Sequence, residues 1–283
     1  MTIYKTEPGE KEVLGLYRTL LDDWPVECRR TELETSFGTT FVISSGIQGK
    51  PVIVLLHGTG SNSASWMADI KAYSKDYLVY CIDIPGEAGF SSRDRFSLKE
   101  PGLFCNWLQE TFVKLNIEKA HIIGQSLGGW IGLHFCKSHS SLVSSLSLIS
   151  PSGICQPRGS YLLKLVFYLM LGSFGQGKII KMMCNDMEIP PVVEKFIKLT
   201  FRHFKFRTEA PILLTDEELK SIKVPVYYIS GEKDALLDTS KTAVRLKELV
   251  SGSVVEIEPG GHVITKSAER ILSFLDKSRM EVC

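Results

Sequence analysis

From residue 52 onward, short unbroken apolar runs alternate with longer stretches in which apolar positions recur at helical spacing. The runs at 52–56, 77–82, 120–123, 142–149, 224–229 and 254–257 are too short for helices and are bounded by turn residues, so they predict strands. Their continuous apolar character means that both faces of the sheet are buried. Between them, segments 63–74, 98–115, 127–137, 239–250 and 263–275 have helix length. Ahead of this alternation, Val13, Leu14, Leu16, Tyr17, Leu20 and Leu21 predict an amphipathic helix over 10–22, and 30–35 and 39–44 flank Ser36-Phe37-Gly38 as a hairpin. The pattern specifies an α/β fold, a doubly wound, mostly parallel sheet preceded by an antiparallel hairpin.

One interval breaks the rhythm. Between 153 and 223 no strand is predicted, and helices are expected at 161–171, 177–183 and 190–201, with a short one opened by the capping box Thr215-Asp216-Glu217-Glu218. This reads as a helical cap inserted over the carboxyl edge of the sheet, where open α/β folds bind ligands. The expected division is therefore a core of 1–152 and 224–283 and a cap of 153–223. Within the cap, Leu162, Leu165, Val166, Phe167, Leu169 and Met170 are expected to form an apolar roof.

Composition narrows the function classes. A formal net charge of +1 over 283 residues gives no global reason to bind nucleic acid. Residues 158–208 alone are biased, with nine Lys and Arg against three Asp and Glu. Those cations either line a solvated face or steer anionic substrates to an entrance. The seven cysteines are odd in number and never in C-x-x-C spacing, which indicates neither a disulfide framework nor a zinc site. The start lacks a basic segment followed by an apolar one, and no run reaches membrane-spanning length, so a cytoplasmic protein without stable membrane insertion is expected. Oligomeric state is left open. Gly172-Ser173-Phe174-Gly175-Gln176-Gly177-Lys178 nearly matches a phosphate-binding loop, but Ile179 stands where Ser or Thr must bind magnesium and a helix precedes it. It reads as a connection between cap helices.

Candidate chemistry lies where predicted strands end. Ser126, in Gly124-Gln125-Ser126-Leu127-Gly128, follows a strand and opens a helix. A serine in so sharp a turn exposes its hydroxyl above the sheet. It needs a base to remove its proton and an acid to orient that base. His262 follows Pro259-Gly260-Gly261 after the last strand, and Asp234 lies in the turn after 224–229. Asp238 and Glu232 are rivals for the acid, Asp238 with an alternative role as a helix N-cap. The negative oxygen of an acyl-transfer intermediate requires two N–H donors, expected from Leu127 and from Thr59 in His57-Gly58-Thr59-Gly60. His57 and the Asp83–Ser91 turn read as structural, as do the sheet and helix histidines His121 and His134. His139 and His203 read as surface residues.

Together, His57-Gly58, Asp83-x-Pro85-Gly86, Gly124-x-Ser126-x-Gly128-Gly129, Gly231-x-x-Asp234 and Gly261-His262 resemble the α/β-hydrolase superfamily over nearly the whole chain outside the cap. Trp24-Pro25-Val26-Glu27-Cys28 and Thr215-Asp216-Glu217-Glu218-Leu219 add a resemblance to bacterial carboxylesterases of the naproxen-esterase type. The turn from Asp83 to Ser91 departs from the pattern by one extra residue. The resemblance implies a hydrolase without cofactor or metal, with Ser126 as nucleophile, His262 as base and Asp234 as acid, cleaving small-molecule esters with a hydrophobic acyl or aryl group. Carbon–carbon bond hydrolysis, peptidase or acyltransferase chemistry, and a small-molecule sensor with negligible turnover, are the alternatives.

Overall fold

The computed structural model describes residues 2–159, 164, 167–168, 171–185 and 189–280. Its eight strands are β1 Cys28–Thr35, β2 Gly38–Gly46, β3 Val52–Leu56, β4 Leu78–Ile82, β5 Ala120–Gln125, β6 Val143–Ile149, β7 Val226–Gly231 and β8 Val254–Glu258. They form one sheet in the order β1-β2-β4-β3-β5-β6-β7-β8. β2 runs antiparallel to both β1 and β4, and every pairing from β4 to β8 is parallel. The described helices are α1 Glu7–Asp22, α2 Ile70–Tyr73, α3 Pro101–Lys114, α4 Leu127–Ser138, α5 Gly172–Cys184, α6 Pro191–His203, α7 Asp216–Lys220, α8 Thr239–Leu249 and α9 Ala268–Met280.

The unbroken apolar strands have a direct cause. Successive residues of a strand point to opposite faces, and in β3 Val54 and Leu56 join one core cluster while Ile53 and Leu55 join the other. The first cluster includes Phe104 and Trp107 of α3, Trp130 and Ile131 of α4, and Leu246 of α8. The second includes Val13 and Tyr17 of α1, Ile70 and Tyr73 of α2, and Ile271 and Leu275 of α9. Helices thus cover both faces, as the alternation predicts.

The elements depart from the predicted bounds where tertiary contacts intervene. The segment expected as one helix over 63–74 splits into a 3₁₀ turn, Ser63–Trp66, and α2. Asn62 caps the turn by accepting from the Ala64 N–H at 3.1 Å, whereas the Asp69 carboxylate reaches across to the Ala268 N–H at 3.0 Å instead of capping α2. That same contact meets the first N–H of α9, which starts at Ala268, five residues later than its apolar pattern predicts, with 263–267 as a loop. In the expected cap, α5 begins at Gly172 rather than 177, so the decoy glycines lie inside a helix. The Thr215–Glu218 capping box forms with both reciprocal bonds.

The expected helix over 161–171 falls largely outside the described residues, as do Leu162, Leu165, Val166, Leu169 and Met170 of the expected roof. Phe167 is a correction: it is 58% exposed and faces solvent. Among the nine cations of 158–208, eight are exposed, whereas the Arg207 side chain is 6% exposed and paired with buried Glu87. Cys81, Cys105, Cys136 and Cys184 act as small buried groups, and burial pushes the Cys184 thiol up to about 11. Among the described residues no helix is long and apolar enough to cross a membrane.

Candidate active site

Parallel strands deliver their carboxyl ends to one edge, and the loops there carry every candidate residue. β5 ends at Gln125, and Ser126 turns directly into α4 with φ +50, a value costly for a residue with a Cβ. Three contacts hold it there. The Ser126 N–H donates to the Ile149 carbonyl at 2.9 Å, and its own carbonyl accepts from Trp130 and Ser152 N–H groups, each at 3.1 Å. The flanking glycines are dictated by close approach: a Cβ on Gly124 would lie 2.4 Å from the Gly128 carbonyl oxygen, and one on Gly128 2.1 Å from that of Leu56.

The loops after β7 and β8 bring the other two residues to this serine. His262 Nε2 lies 3.1 Å from Ser126 Oγ, and its Nδ1 lies 2.8 Å from Asp234 Oδ2. The second carboxylate oxygen of Asp234 accepts from the Leu236 and Leu237 N–H groups at 2.8 and 2.9 Å. All three side chains are buried. A carboxylate held by two backbone donors has one geometry to offer, and it fixes the imidazole with Nε2 toward the serine. Asp238 is elsewhere: its carboxylate caps α8, accepting from the Lys241 N–H at 3.1 Å. Glu232 is exposed.

Leu127 is the first residue of α4, where a backbone N–H has no intrahelical acceptor. Thr59 sits in an exposed turn beside the serine, since a Cβ on neighbouring Gly58 would lie 3.5 Å from Ser126 Cβ. Among the described residues neither N–H donates to a backbone carbonyl. His57 braces this turn. Its Nδ1–H donates to the Gly58 carbonyl at 2.8 Å while Nε2 accepts from the Ile84 N–H at 2.9 Å, and burial holds its pKa below the usual histidine value.

Asp83 anchors the next loop through neutral donors among the described residues. Its carboxylate accepts from the Tyr17 hydroxyl at 3.0 Å, from the Ser63 N–H and hydroxyl at 2.9 and 2.6 Å, and from the Phe90 N–H at 2.8 Å. His121 bonds Ser145 within the sheet at 2.8 Å, and His134 packs edge-on against Trp130. The buried Glu87–Arg207 pair escaped the sequence reading. Glu87 lay in a turn assigned to structure, and no spacing singles Arg207 out of nine nearby cations.

The known proteins that this chain resembles share this arrangement's scaffold. A family model described as the alpha/beta hydrolase family matches residues 53–273. The uncharacterized carboxylesterase nap of Bacillus subtilis (strain 168) is 31% identical over 274 residues, spanning 92% of this chain and 91% of that protein. Carboxylesterase YbfK of the same strain is 30% identical over 273 residues, 92% of each chain. Among solved structures, naproxen esterase (carboxylesterase NP) from Bacillus subtilis superposes with a TM-score of 0.86 at 27% identity, covering 96% of this chain and 99% of that one. With a serine at the strand-to-helix turn, a histidine and an aspartate delivered by later loops of one parallel sheet, and these similarities along its length, the chain belongs to the alpha/beta hydrolase family.

Proposed function

We propose that this protein is a carboxylesterase that cleaves small-molecule esters bearing a hydrophobic acyl or aryl group through an acyl-enzyme on Ser126. The observation that carries the reading is the buried chain Ser126 Oγ, His262 Nε2, His262 Nδ1, Asp234 Oδ2, with links of 3.1 and 2.8 Å. Its kinship with two Bacillus carboxylesterases over nine-tenths of its length supports the ester bond as the target. Ser126 Oγ attacks the ester carbonyl while His262 Nε2 takes its proton. Asp234 holds the imidazole and stabilises the imidazolium so formed. The Thr59 and Leu127 N–H groups receive the negative oxygen, each such donor being worth about 10²- to 10³-fold in turnover. His262 then passes the proton to the departing alcohol, and a water activated by the same histidine releases the acid.

Segment 153–223 acts in this reading as the cap that shapes the acyl pocket. Met183 supports that role, because its carbonyl accepts from the Val263 N–H at 3.2 Å, directly beside His262. The test is labelling with a fluorophosphonate followed by peptide mass spectrometry, alongside turnover of p-nitrophenyl esters of graded acyl length. The adduct is expected on Ser126, absent in Ser126→Ala, with many turnovers per molecule. An adduct elsewhere, or a single turnover per chain, overturns the proposal.

A further inference from the structure

The mechanism above uses neither Glu87 nor Arg207, yet both are charged and buried next to it. The Glu87 side chain is fully covered and that of Arg207 is 6% exposed. Arg207 Nε donates to Glu87 Oε1 at 2.6 Å, and its Nη1 donates to the Phe96 carbonyl at 2.7 Å. The other carboxylate oxygen, Glu87 Oε2, accepts from the Gly60 N–H at 2.7 Å. One carboxylate is therefore shared between a guanidinium and the turn that contains Thr59.

A second contact reaches the same turn from the same direction. Gly60 has φ +66, and a Cβ there would lie 2.4 Å from Phe206 Cε1. Phe206 and Arg207 are consecutive, three and four residues beyond the end of α6. That limb is itself pinned to the N-terminal segment: Lys5 N–H donates to the His203 carbonyl and Lys205 N–H to the Ile3 carbonyl, both at 2.8 Å. The descending limb thus meets the turn twice, through the Phe206 ring directly and through Arg207 by way of Glu87.

Stability alone gives a poor reason for this arrangement. Burying two ions removes them from water, and the desolvation penalty roughly offsets their attraction, so apolar side chains of similar volume would serve the core as well. What a carboxylate offers, and an apolar side chain does not, is a strong acceptor for a backbone N–H at one fixed position. Holding the Gly60 N–H holds the Thr59–Gly60 peptide plane. The adjoining peptide, which carries the Thr59 N–H, is then joined through Thr59 to a fixed neighbour, which narrows its rotation.

We infer that Glu87 and Arg207 are positioning residues: Arg207 orients Glu87, Glu87 fixes the Gly60 N–H, and the turn thereby aims the Thr59 N–H at the developing oxyanion. Seating of the limb that leaves α6 and competence of the oxyanion turn are then one event. The inference rests on the assignment of Thr59 as an oxyanion donor.

The test compares wild type with Glu87→Gln, Arg207→Lys, Arg207→Met and the double variant Glu87→Gln/Arg207→Met. It measures kcat and KM on a p-nitrophenyl ester, and inhibition by an aryl trifluoromethyl ketone, which forms an oxyanion on the serine, against its methyl ketone analogue, which does not. Arg207→Met is expected to lower kcat by about 10²-fold, the scale of one lost oxyanion donor, with KM nearly unchanged. Affinity for the trifluoromethyl ketone should fall by a similar factor while that for the methyl ketone stays level. Arg207→Lys should recover part of the loss, and the double variant should be no worse than Arg207→Met. If Arg207→Met does not fold, Glu87→Gln, which keeps the volume, decides by the same two inhibitors. Parallel loss of both ketones, or unchanged kcat with only a lower melting temperature, overturns the inference. Wild-type protein that gives no fluorophosphonate adduct on Ser126 would instead overturn the esterase reading itself.

Discussion

The loops at the carboxyl edge of the sheet and the outer face of the described residues between 164 and 203 obey opposite rules of burial. At the edge, three buried side chains have their polar atoms matched: Asp83 meets Tyr17, Ser63 and Phe90, His57 uses both ring nitrogens, and Asp234 is bonded at both oxygens. On the outer face, Phe167 and Phe174 are exposed, and Lys164, Lys178, Lys195, Lys198 and Arg202 project into solvent. A buried network with every partner satisfied has a single low-energy arrangement. An exposed face with few buried neighbours has many of nearly equal energy. The comparison teaches that matched polar groups fix one geometry at the sheet edge, while the exposed face is under no such constraint.

The largest expected effect tests the edge. Asp234→Asn keeps the shape of the side chain but removes the charge that fixes the imidazole, so kcat should fall by about 10⁴-fold, as in other triads. Asp238→Asn, at the cap of α8, should leave kcat close to wild type and cost at most about 1 kcal/mol of stability. Kinetics paired with urea unfolding separates the two, and the reverse ranking would reassign the acid.

A middle-sized effect concerns buried polar groups that titrate. Burial pulls the His134 imidazole from the usual 6.5 down to about 4, and lowers that of His57 as well. With the folded value depressed, the unfolded chain takes up protons first as pH falls. Stability is therefore complete above the unfolded value and declines as pH drops from 6.5 towards 4, by about 3 kcal/mol for His134. Unfolding at neutral and mildly acidic pH should show this slope, and His134→Gln should flatten it. An equal slope in the variant would remove His134 as its source.

The smallest effect is expected on the outer face. Phe174 is 67% exposed, and the Lys178 ammonium lies 5.5 Å from the centre of its ring. Phe174→Ser should change stability by no more than about 0.5 kcal/mol, read by thermal melting. A larger loss would show that this face is held as firmly as the sheet edge and would erase the contrast.

The order of strands and helices was legible because it rests on local periodicity. Val52–Leu56 reads as a doubly buried strand whether or not its neighbours are known, and the glycines around Ser126 signal a tight turn wherever they occur. Serine, aspartate and histidine were legible for a related reason, since each lies where a predicted strand stops. Asp234 could be separated from Asp238 only in three dimensions, where one carboxylate meets His262 and the other caps a helix. Asp69, between the two pieces of 63–74, bonds the first N–H of α9 from 199 positions away, a contact that no local periodicity announces. Arg207 shows the same limit: among nine cations of identical local appearance, only packing selects the one that is stripped of water and set against Glu87. Periodicity and turn chemistry act over a few residues and can be read along a line, whereas desolvation and long-range pairing depend on which surfaces the folded chain brings together.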